Sequence, residues 1–368
     1  MPGNGVAKID VQGVVKRFGN VAAVDGVSFT VNEGEILGIL GPSGCGKTTI
    51  LRSISGLEEI DDGRIFLSGA IVSSPKEKKF IPPEKRRLGF VFQSYALWPH
   101  MTVNKNIAYC LKGFSKEEKE KRIATSLELV GLPEVGERYP TQLSGGQQQR
   151  IALARSISYE PAVLLLDEPL SNLDMKERER VRGELRLLLK RIGITTVFVT
   201  HDQEECFVIC DRIILMNHGK IEQEGTPESL YASPANMFVA EFIGRGNILK
   251  AELKSLDRAA HTATLNIPEM GANLTCQYDG EFPDKVISIV IRRNEIGLGK
   301  DKPNFKENVL SGRIVAREYR GAVTDNRIRV GNAEIIVTKH KFESDSDTGD
   351  VDDIYVHVPP RAIKPLAN

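Results

Sequence analysis

The sequence predicts an α/β domain with a buried parallel sheet, followed by a small all-β domain. Three observations carry this. Four short runs are apolar at every position, and each ends in a residue able to do chemistry. Helical patterns lie between the runs. Beyond Gly244 long helical periodicity disappears and short alternating segments take over. A run apolar at every position is a strand buried on both faces, as in a parallel sheet covered by helices. Alternation between Gly, Asn, Asp and Pro marks strands of an antiparallel unit.

The elements follow in order. Glu35–Leu40 leads into Gly41, Leu88–Phe92 into Gln93, Ala162–Leu166 into Asp167 and Glu168, and Thr195–Thr200 into His201. Ligands in such sheets bind at the carboxyl ends of the strands, so the four runs aim their polar ends at one place. The segment Ser115–Val130 opens with Ser115 and Glu118 in capping-box spacing and buries Ile123, Leu127 and Val130. Its charge run, Lys116–Arg122, is a solvated face. Met175–Arg191 carries Leu185, Leu188, Leu189 and Ile192 at helical spacing and stops at Gly193. In the tail, Val286–Ile291, Arg313–Arg317, Asn326–Val330, Ala333–Val337 and Asp353–Val358 read as strands of a barrel or sandwich.

Composition bounds the function. With 368 residues, two or three domains are expected. Lys plus Arg and Asp plus Glu are both 49, which argues against a protein that grips nucleic acid by neutralising phosphates. No stretch approaches the ~20 apolar residues that span a bilayer, and the start Met1–Lys8 shows no apolar signal core. The chain is therefore not expected to be a channel or a secreted scaffold. Five scattered cysteines offer no zinc-like set and suit a reducing compartment.

The chemistry is concentrated in three places. Gly41-Pro42-Ser43-Gly44-Cys45-Gly46-Lys47-Thr48, followed by Thr49, matches G-x-x-x-x-G-K-[ST] between a buried run and a helix pattern. The glycines let backbone N–H groups turn inward around phosphate oxygens, and the helix presents its positive end. Lys47 is expected to reach the β/γ-phosphates and Thr48 to ligate Mg²⁺. Asp167 and Glu168 follow the buried leucine run Ala162–Leu166, where two acids are costly to bury without a cation or a reaction to serve. One can serve Mg²⁺, the other an attacking water. Ser144, Gly145, Gly146 and Gln147 follow Leu143, with Ser144 and Gln147 in capping-box spacing, so a second helix mouth offers donors to an anion.

Taken together, these residues resemble the ATP-binding cassette (ABC) family over residues 8–243, with a helical subdomain at about 94–160. The resemblance implies an α/β P-loop NTPase ABC cassette with a helical subdomain, followed by a small all-β OB-like regulatory domain at 244–368. It equates Leu143–Gln147 with the signature motif, Gln93 with the Q-loop and Ser171–Asp174 with the D-loop. His201 matches the switch histidine, and Phe18 the aromatic that stacks on adenine. It implies ATP and Mg²⁺ as ligands, the metal near Thr48, Gln93 and Asp167. Glu168 is implied as general base or water-positioning group, with His201 on the γ-phosphate. It further implies a head-to-tail dimer in which the Ser144–Gln147 signature of one copy completes the P-loop site of the other.

Gly312–Val315, Tyr319–Gly321 and Ile363 in the tail resemble the regulatory domain of bacterial importer ATPases, and Gln93–Val103 and Gly225–Tyr231 resemble the importer subgroup that takes up ferric iron, polyamines, sugars and related solutes. The expectation is a peripheral ATPase on the cytoplasmic face of the bacterial inner membrane, docked on permease subunits and served indirectly by a solute-binding protein. Phe80–Arg86 with Trp98–His100 leans toward iron(III), with polyamines and sugars as alternatives. The loop with Tyr95, Trp98 and Met101 is expected to be exposed and to meet the permease. A reading from another class is a nucleotide-driven clamp on ribosomes or DNA; a P-loop kinase or GTPase leaves Leu143–Gln147 unexplained. Leu67–Ala70 imitates the signature but reads as a β-turn. Asp345–Asp350 reads as an acidic surface loop. Alkylation of Cys45 is expected to block ATP hydrolysis sterically, with protection by ATP.

Overall fold

A computed structural model describes residues 7–278, 286–301, 307–340 and 353–366. The Asp345–Asp350 stretch and most of the Met1–Lys8 start lie outside the described residues. The chain divides at Pro227/Glu228 into two compact units.

In the first unit, β1 (Ile9–Phe18) and β2 (Val21–Val31) form a hairpin, and β3 (Ile36–Leu40) runs into the core and opens into α1 (Lys47–Ser55). Next, β4 (Asp62–Leu67), β5 (Ala70–Ser74) and the short β6 (Lys79–Phe80) return to the hairpin, giving an antiparallel sheet ordered β2-β1-β4-β5-β6. After β7 (Leu88–Val91) come three helices, α2 (Val103–Ala108), α3 (Lys116–Leu129) and α4 (Gly145–Ile157). The unit continues through β8 (Val163–Asp167), α5 (Met175–Ile192), β9 (Thr195–Thr200), α6 (Gln203–Ile209), β10 (Arg212–Asn217) and β11 (Lys220–Gly225).

The four apolar runs become β3, β7, β8 and β9 of a six-stranded sheet ordered β11-β10-β3-β9-β8-β7. All its pairings are parallel except the β10–β11 edge. Register then brings the chemistry together. Leu40 pairs with Thr200, Asp167 with Val199 and Val91 with Leu166. Gly41, His201, Glu168 and the chain leading to Gln93 therefore leave the sheet along one edge.

The antiparallel sheet is not evident from sequence pattern. Its strands alternate only piecewise, because register shifts interrupt β1 between Val11 and Val14 and again before Arg17. The first shift moves the buried phase from Ile9 and Val11 to Val14, and Gly13, at φ +56°, sits there. The Leu67–Ala70 segment is the expected turn. Ser68 and Gly69 have φ of +48° and +79°, as the two central residues of a type I′ hairpin require.

Helix ends follow their caps. In α3, Ser115 accepts the Glu118 N–H at 3.2 Å, but the Glu118 carboxylate turns to Arg122, so only half the expected capping box forms. In α5, Asp174 caps the start and Gly193, at φ +69°, ends the helix. The last turn of α1 is held by Arg86. Its buried guanidinium donates to Ser53 O, Ile54 O, Ile81 O and Val72 O, and burial lowers its pKa to about 10.

The second unit carries α7 (Pro227–Ala232), α8 (Met237–Phe242), β12 (Gly246–Asp257), β13 (Thr262–Ile267), β14 (Ala272–Gln277) and β15 (Val286–Arg292). It continues with β16 (Gly297–Gly299), β17 (Val309–Tyr319), β18 (Val323–Val330), β19 (Ala333–His340), β20 (Asp353–His357) and β21 (Ile363–Leu366). Two antiparallel sheets, β14-β13-β12-β15-β21 and β16-β20-β17-β18-β19, share one core that includes Leu265, Ile289, Ile328 and Val356. This is the arrangement expected of an OB-like unit. Gly312 permits the close packing: a Cβ there would lie 2.8 Å from Ile328 Cγ2. The helical pattern stops near Phe242, yet contacts divide the chain earlier, because Arg292 ties α7 and α8 to the strands. Buried, it donates to Ala240 O, Ile243 O, Gly244 O and Tyr231 O, and lies over the Tyr231 ring.

Candidate functional site

The loop between β3 and α1 wraps a small cradle. Gly41, Gly44 and Gly46 have φ of +156°, +80° and +103°. A Cβ on Gly41 would meet Met216 O at 2.3 Å, and one on Gly46 would meet Ala23 O at 2.1 Å. Only glycine fits either place. Ser43 and Gly44 face solvent, Pro42 and Thr49 are half-buried, and Lys47 is buried. The Lys47 ammonium donates to Gly41 O at 2.8 Å and Pro42 O at 2.9 Å, so it spans the loop mouth from within.

Beside the cradle, Thr48 Oγ1 donates to Asp167 Oδ1 at 2.9 Å. Burial raises the Asp167 carboxyl above its ordinary pKa, opposed by the Thr48 bond and by Arg52 and Lys47, while Glu168 adds to the rise. Hydroxyl and carboxylate oxygens side by side are donors that suit a hard divalent cation.

Glu168 is held at both oxygens. Gln93 Nε2 donates to its Oε2 at 3.2 Å, and His201 Nδ1 lies 3.3 Å from its Oε1. Its backbone has φ +45°, a left-handed conformation uncommon for a residue with a Cβ. The Glu168 N–H donates to Val199 O, and Ser171 Oγ donates to Glu168 O at 2.9 Å. Asn172 closes the ring by donating to Gln93 O at 2.6 Å. The segment after β7, the β8–α5 loop and the turn after β9 thus converge on one residue.

Other expected residues stand apart from this cluster. Phe18, at the end of β1, is 51% exposed, with Lys16 Nζ 5.2 Å from its ring centre. Asp174 caps α5, accepting the Glu177 N–H at 2.9 Å. Ser144 and Gln147 form a full capping box: Ser144 Oγ accepts the Gln147 N–H at 3.3 Å, and Gln147 Oε1 accepts the Ser144 N–H at 3.0 Å. Gly145 and Gly146 open α4 behind them. Among the described residues, no hydrogen bond or ion pair joins Ser144–Gln147 to the Gly41–Thr49 loop.

One expectation is corrected. Tyr95 is buried, not exposed. It and Ala96 adopt φ of +62° and +48°, and their carbonyls accept from Arg155 at 2.8 and 2.6 Å. Burial drives the Tyr95 hydroxyl up to about 12. Trp98 and Met101 are half-buried, and Trp98 packs at a 45° tilt against Tyr109, which is exposed. Cys45 is also buried, its thiol raised by desolvation and packed in the core under the loop. Alkylation there first requires the loop to open.

Sequence pattern does not reveal the roles of Glu177 and Arg178. Arg178 donates to Leu173 O at 3.1 Å and Ser171 O at 3.4 Å, and lies 3.8 Å from both Asp202 and the buried Glu205. Thr200 donates to Glu205 at 2.5 Å and accepts the Asp202 N–H at 3.0 Å, which shapes the turn carrying His201. Glu177 meets the mouth of α4, with Ser144 Oγ donating at 3.3 Å and Gly146 N at 3.1 Å. Three residues past Asp174, it reads by spacing as part of its own helix.

Known proteins carry the same pattern. The family model for the ABC transporter matches residues 24–171. The spermidine/putrescine import ATP-binding protein PotA of Legionella pneumophila (strain Paris) is 41% identical over 343 residues, 92% of each chain. The Fe(3+) ions import ATP-binding protein FbpC 1 of Rhizobium meliloti is 41% identical over 332 residues, 90% of each. Among solved structures, the dimeric bacterial ABC transporter cassette MJ0796 matches at TM-score 0.51 and 34% identity, covering 59% of this chain and 98% of that one. The same cassette in a post-hydrolysis state with ADP and Pi matches at TM-score 0.50 and 33% identity, again over 59% and 98%.

Proposed function

The chain belongs to the ABC transporter family, as the ATP-binding and ATP-hydrolysing subunit of an importer, and from that premise we propose that two copies work head to tail. Each would close the other's ATP site with its Ser144–Gln147 helix mouth. The observation that carries this is the separation of the two phosphate-binding features within one chain. The α4 mouth offers a hydroxyl and backbone donors to an anion, and the γ-phosphate held on another copy supplies one. The dimeric MJ0796 cassette supports the reading.

Within each site, Gly41–Thr49 would wrap the phosphates with backbone N–H groups. Lys47 would exchange its bonds to Gly41 O and Pro42 O for the β/γ-phosphates, and the exposed Phe18 ring would stack on adenine. Thr48 and Asp167, with Gln93 nearby, are the residues to hold Mg²⁺, which when bound supplies charge neutralisation at the phosphates. Glu168, restrained by Gln93 and His201, would orient the attacking water and take its proton, while His201 meets the γ-phosphate. Asp174 would hold the D-loop through the α5 cap. Catalysis of this kind is positioning plus electrostatics.

We place the cassette at 8–243, with its helical subdomain at 94–160 and a regulatory OB-like domain at 244–368. The chain would sit on the cytoplasmic face of the membrane against permease subunits, with the Tyr109–Trp98 face as contact. Among the described residues, no helix is long and apolar enough to cross a membrane. For the solute we infer a polyamine, handed over by a separate binding protein. Relatives named for spermidine/putrescine import match over 92% of the chain. The lean toward iron(III) weakens because Arg86 and Trp98 have packing roles, although the Rhizobium relative keeps iron as the second reading. Deleting the gene should abolish labelled spermidine uptake and leave labelled iron uptake intact; the reverse pattern selects iron. For the two-copy site, ATPase rate per molecule should rise with protein concentration. Full turnover from a strict monomer, independent of dilution, rejects it.

A further inference from the structure

The donors at the mouth of α4 already hold an anion from their own chain. Glu177 stands three residues after Asp174, the N-cap of α5. A glutamate there ordinarily reaches back to its own N-cap amide and completes a capping box. Here only half of that box forms. Asp174 accepts the Glu177 N–H at 2.9 Å, while the Glu177 carboxylate crosses to α4. Its Oε1 accepts the Gly146 N–H at 3.1 Å and the Ser144 hydroxyl at 3.3 Å. The approach depends on glycine, since a Cβ on Gly146 would lie 2.6 Å from that same oxygen.

The two donors belong to the set that the two-copy reading assigns to the γ-phosphate on the opposite copy. One N–H and one hydroxyl cannot serve a carboxylate and a phosphate together, and like charges at that range repel. We propose that Glu177 is a stand-in anion that competes with the partner copy's ATP for the signature helix, so that closure of the dimer requires its displacement. The proposal rests on the two-copy reading. A landing place for the displaced carboxylate is at hand: Arg180 Nη2 lies 3.9 Å from Glu177 Oε1, on a side chain more than half exposed. In separated copies Glu177 satisfies and neutralises the positive helix end. On closure the phosphate replaces it, and the exchange sets how much protein or nucleotide closure demands.

A purely structural tie between α4 and α5 makes the opposite prediction, because its loss would loosen the helix mouth and weaken closure. The test uses full-length parent, Glu177→Ala and Glu177→Gln protein with Mg²⁺ and a non-hydrolysable β,γ-imido ATP analogue. Sedimentation velocity over a dilution series gives the dimerisation midpoint. A fluorescent-nucleotide titration of dilute, monomeric protein reports the P-loop alone. Glu177→Ala should dimerise at about tenfold lower protein concentration, the size of one charge-assisted hydrogen bond no longer displaced. Glu177→Gln should fall between Ala and parent, and nucleotide affinity of the monomer should stay within about twofold. A parent that dimerises while both variants show an unmoved or higher midpoint overturns the stand-in role alone. A parent that never dimerises with nucleotide overturns the two-copy reading and the stand-in role with it.

Discussion

Gln93 and Glu168, 75 residues apart in the chain, meet through a 3.2 Å hydrogen bond from the Gln93 amide to one carboxylate oxygen, while His201 sits 3.3 Å from the other. Glu168 therefore has little freedom to rotate, and its charge stays aimed from the strand edge. If this carboxylate is the group that handles water, Glu168→Gln keeps the shape and the Gln93 contact but removes the base. Turnover should drop at least about 100-fold, nucleotide binding should persist, and dimers should accumulate in size-exclusion chromatography with ATP. Normal hydrolysis by that variant would remove Glu168 from the mechanism.

The glycines of the β3–α1 loop differ in what surrounds them. Gly44, at φ +80°, has nothing within 4 Å of a built Cβ, whereas Gly46 would place one 2.1 Å from Ala23 O. Gly44→Ala should cost about 1–2 kcal/mol, the strain of a left-handed L-residue. Gly46→Ala should cost more than about 3 kcal/mol, because backbone must also move. Thermal denaturation followed by circular dichroism orders the two; equal losses would mean that crowding at Gly46 is relieved cheaply.

Glu205 is buried, and burial raises its pKa above the usual carboxyl value. The Thr200 hydroxyl, Arg178 and His201 oppose the rise, and Asp202 adds to it. A carboxyl raised by folding binds its proton more tightly in the native state, so its stabilising contribution is complete below the unfolded pKa. That contribution is lost as pH climbs through the folded pKa. Urea midpoints of the parent should decline across this window, and Glu205→Gln should show a flatter profile. A parallel profile in the two proteins would assign the pH dependence to other groups.

Four of the five cysteines are buried and Cys110 is exposed. Desolvation raises the Cys45, Cys110 and Cys276 thiols, the last to about 11, so exposure sets the order of reaction. Titration with iodoacetamide, read by peptide mass spectrometry, should label Cys110 first without loss of ATPase activity. Cys45 should follow only slowly. Activity falling in step with the first equivalent would place a reactive thiol at the nucleotide loop after all.

Features whose partners lie within a few residues are legible in the sequence alone. The all-apolar strands β3, β7, β8 and β9, the Ser144/Gln147 box, the Ser68-Gly69 turn and the Gly193 stop depend on local spacing and backbone demands, and each stands where spacing puts it. The antiparallel sheet is not legible, since bulges in β1 break the alternation that would reveal it. Residue type places Tyr95 within reach of solvent, yet distant segments cover it. Glu177 has two chemically equal choices, its own helix cap or the mouth of α4, 31 residues away. Which acceptor a donor finds across such a distance depends on how sheets and helices pack in space. Short-range pattern specifies the pieces and their ends; long-range packing decides burial and which polar groups meet.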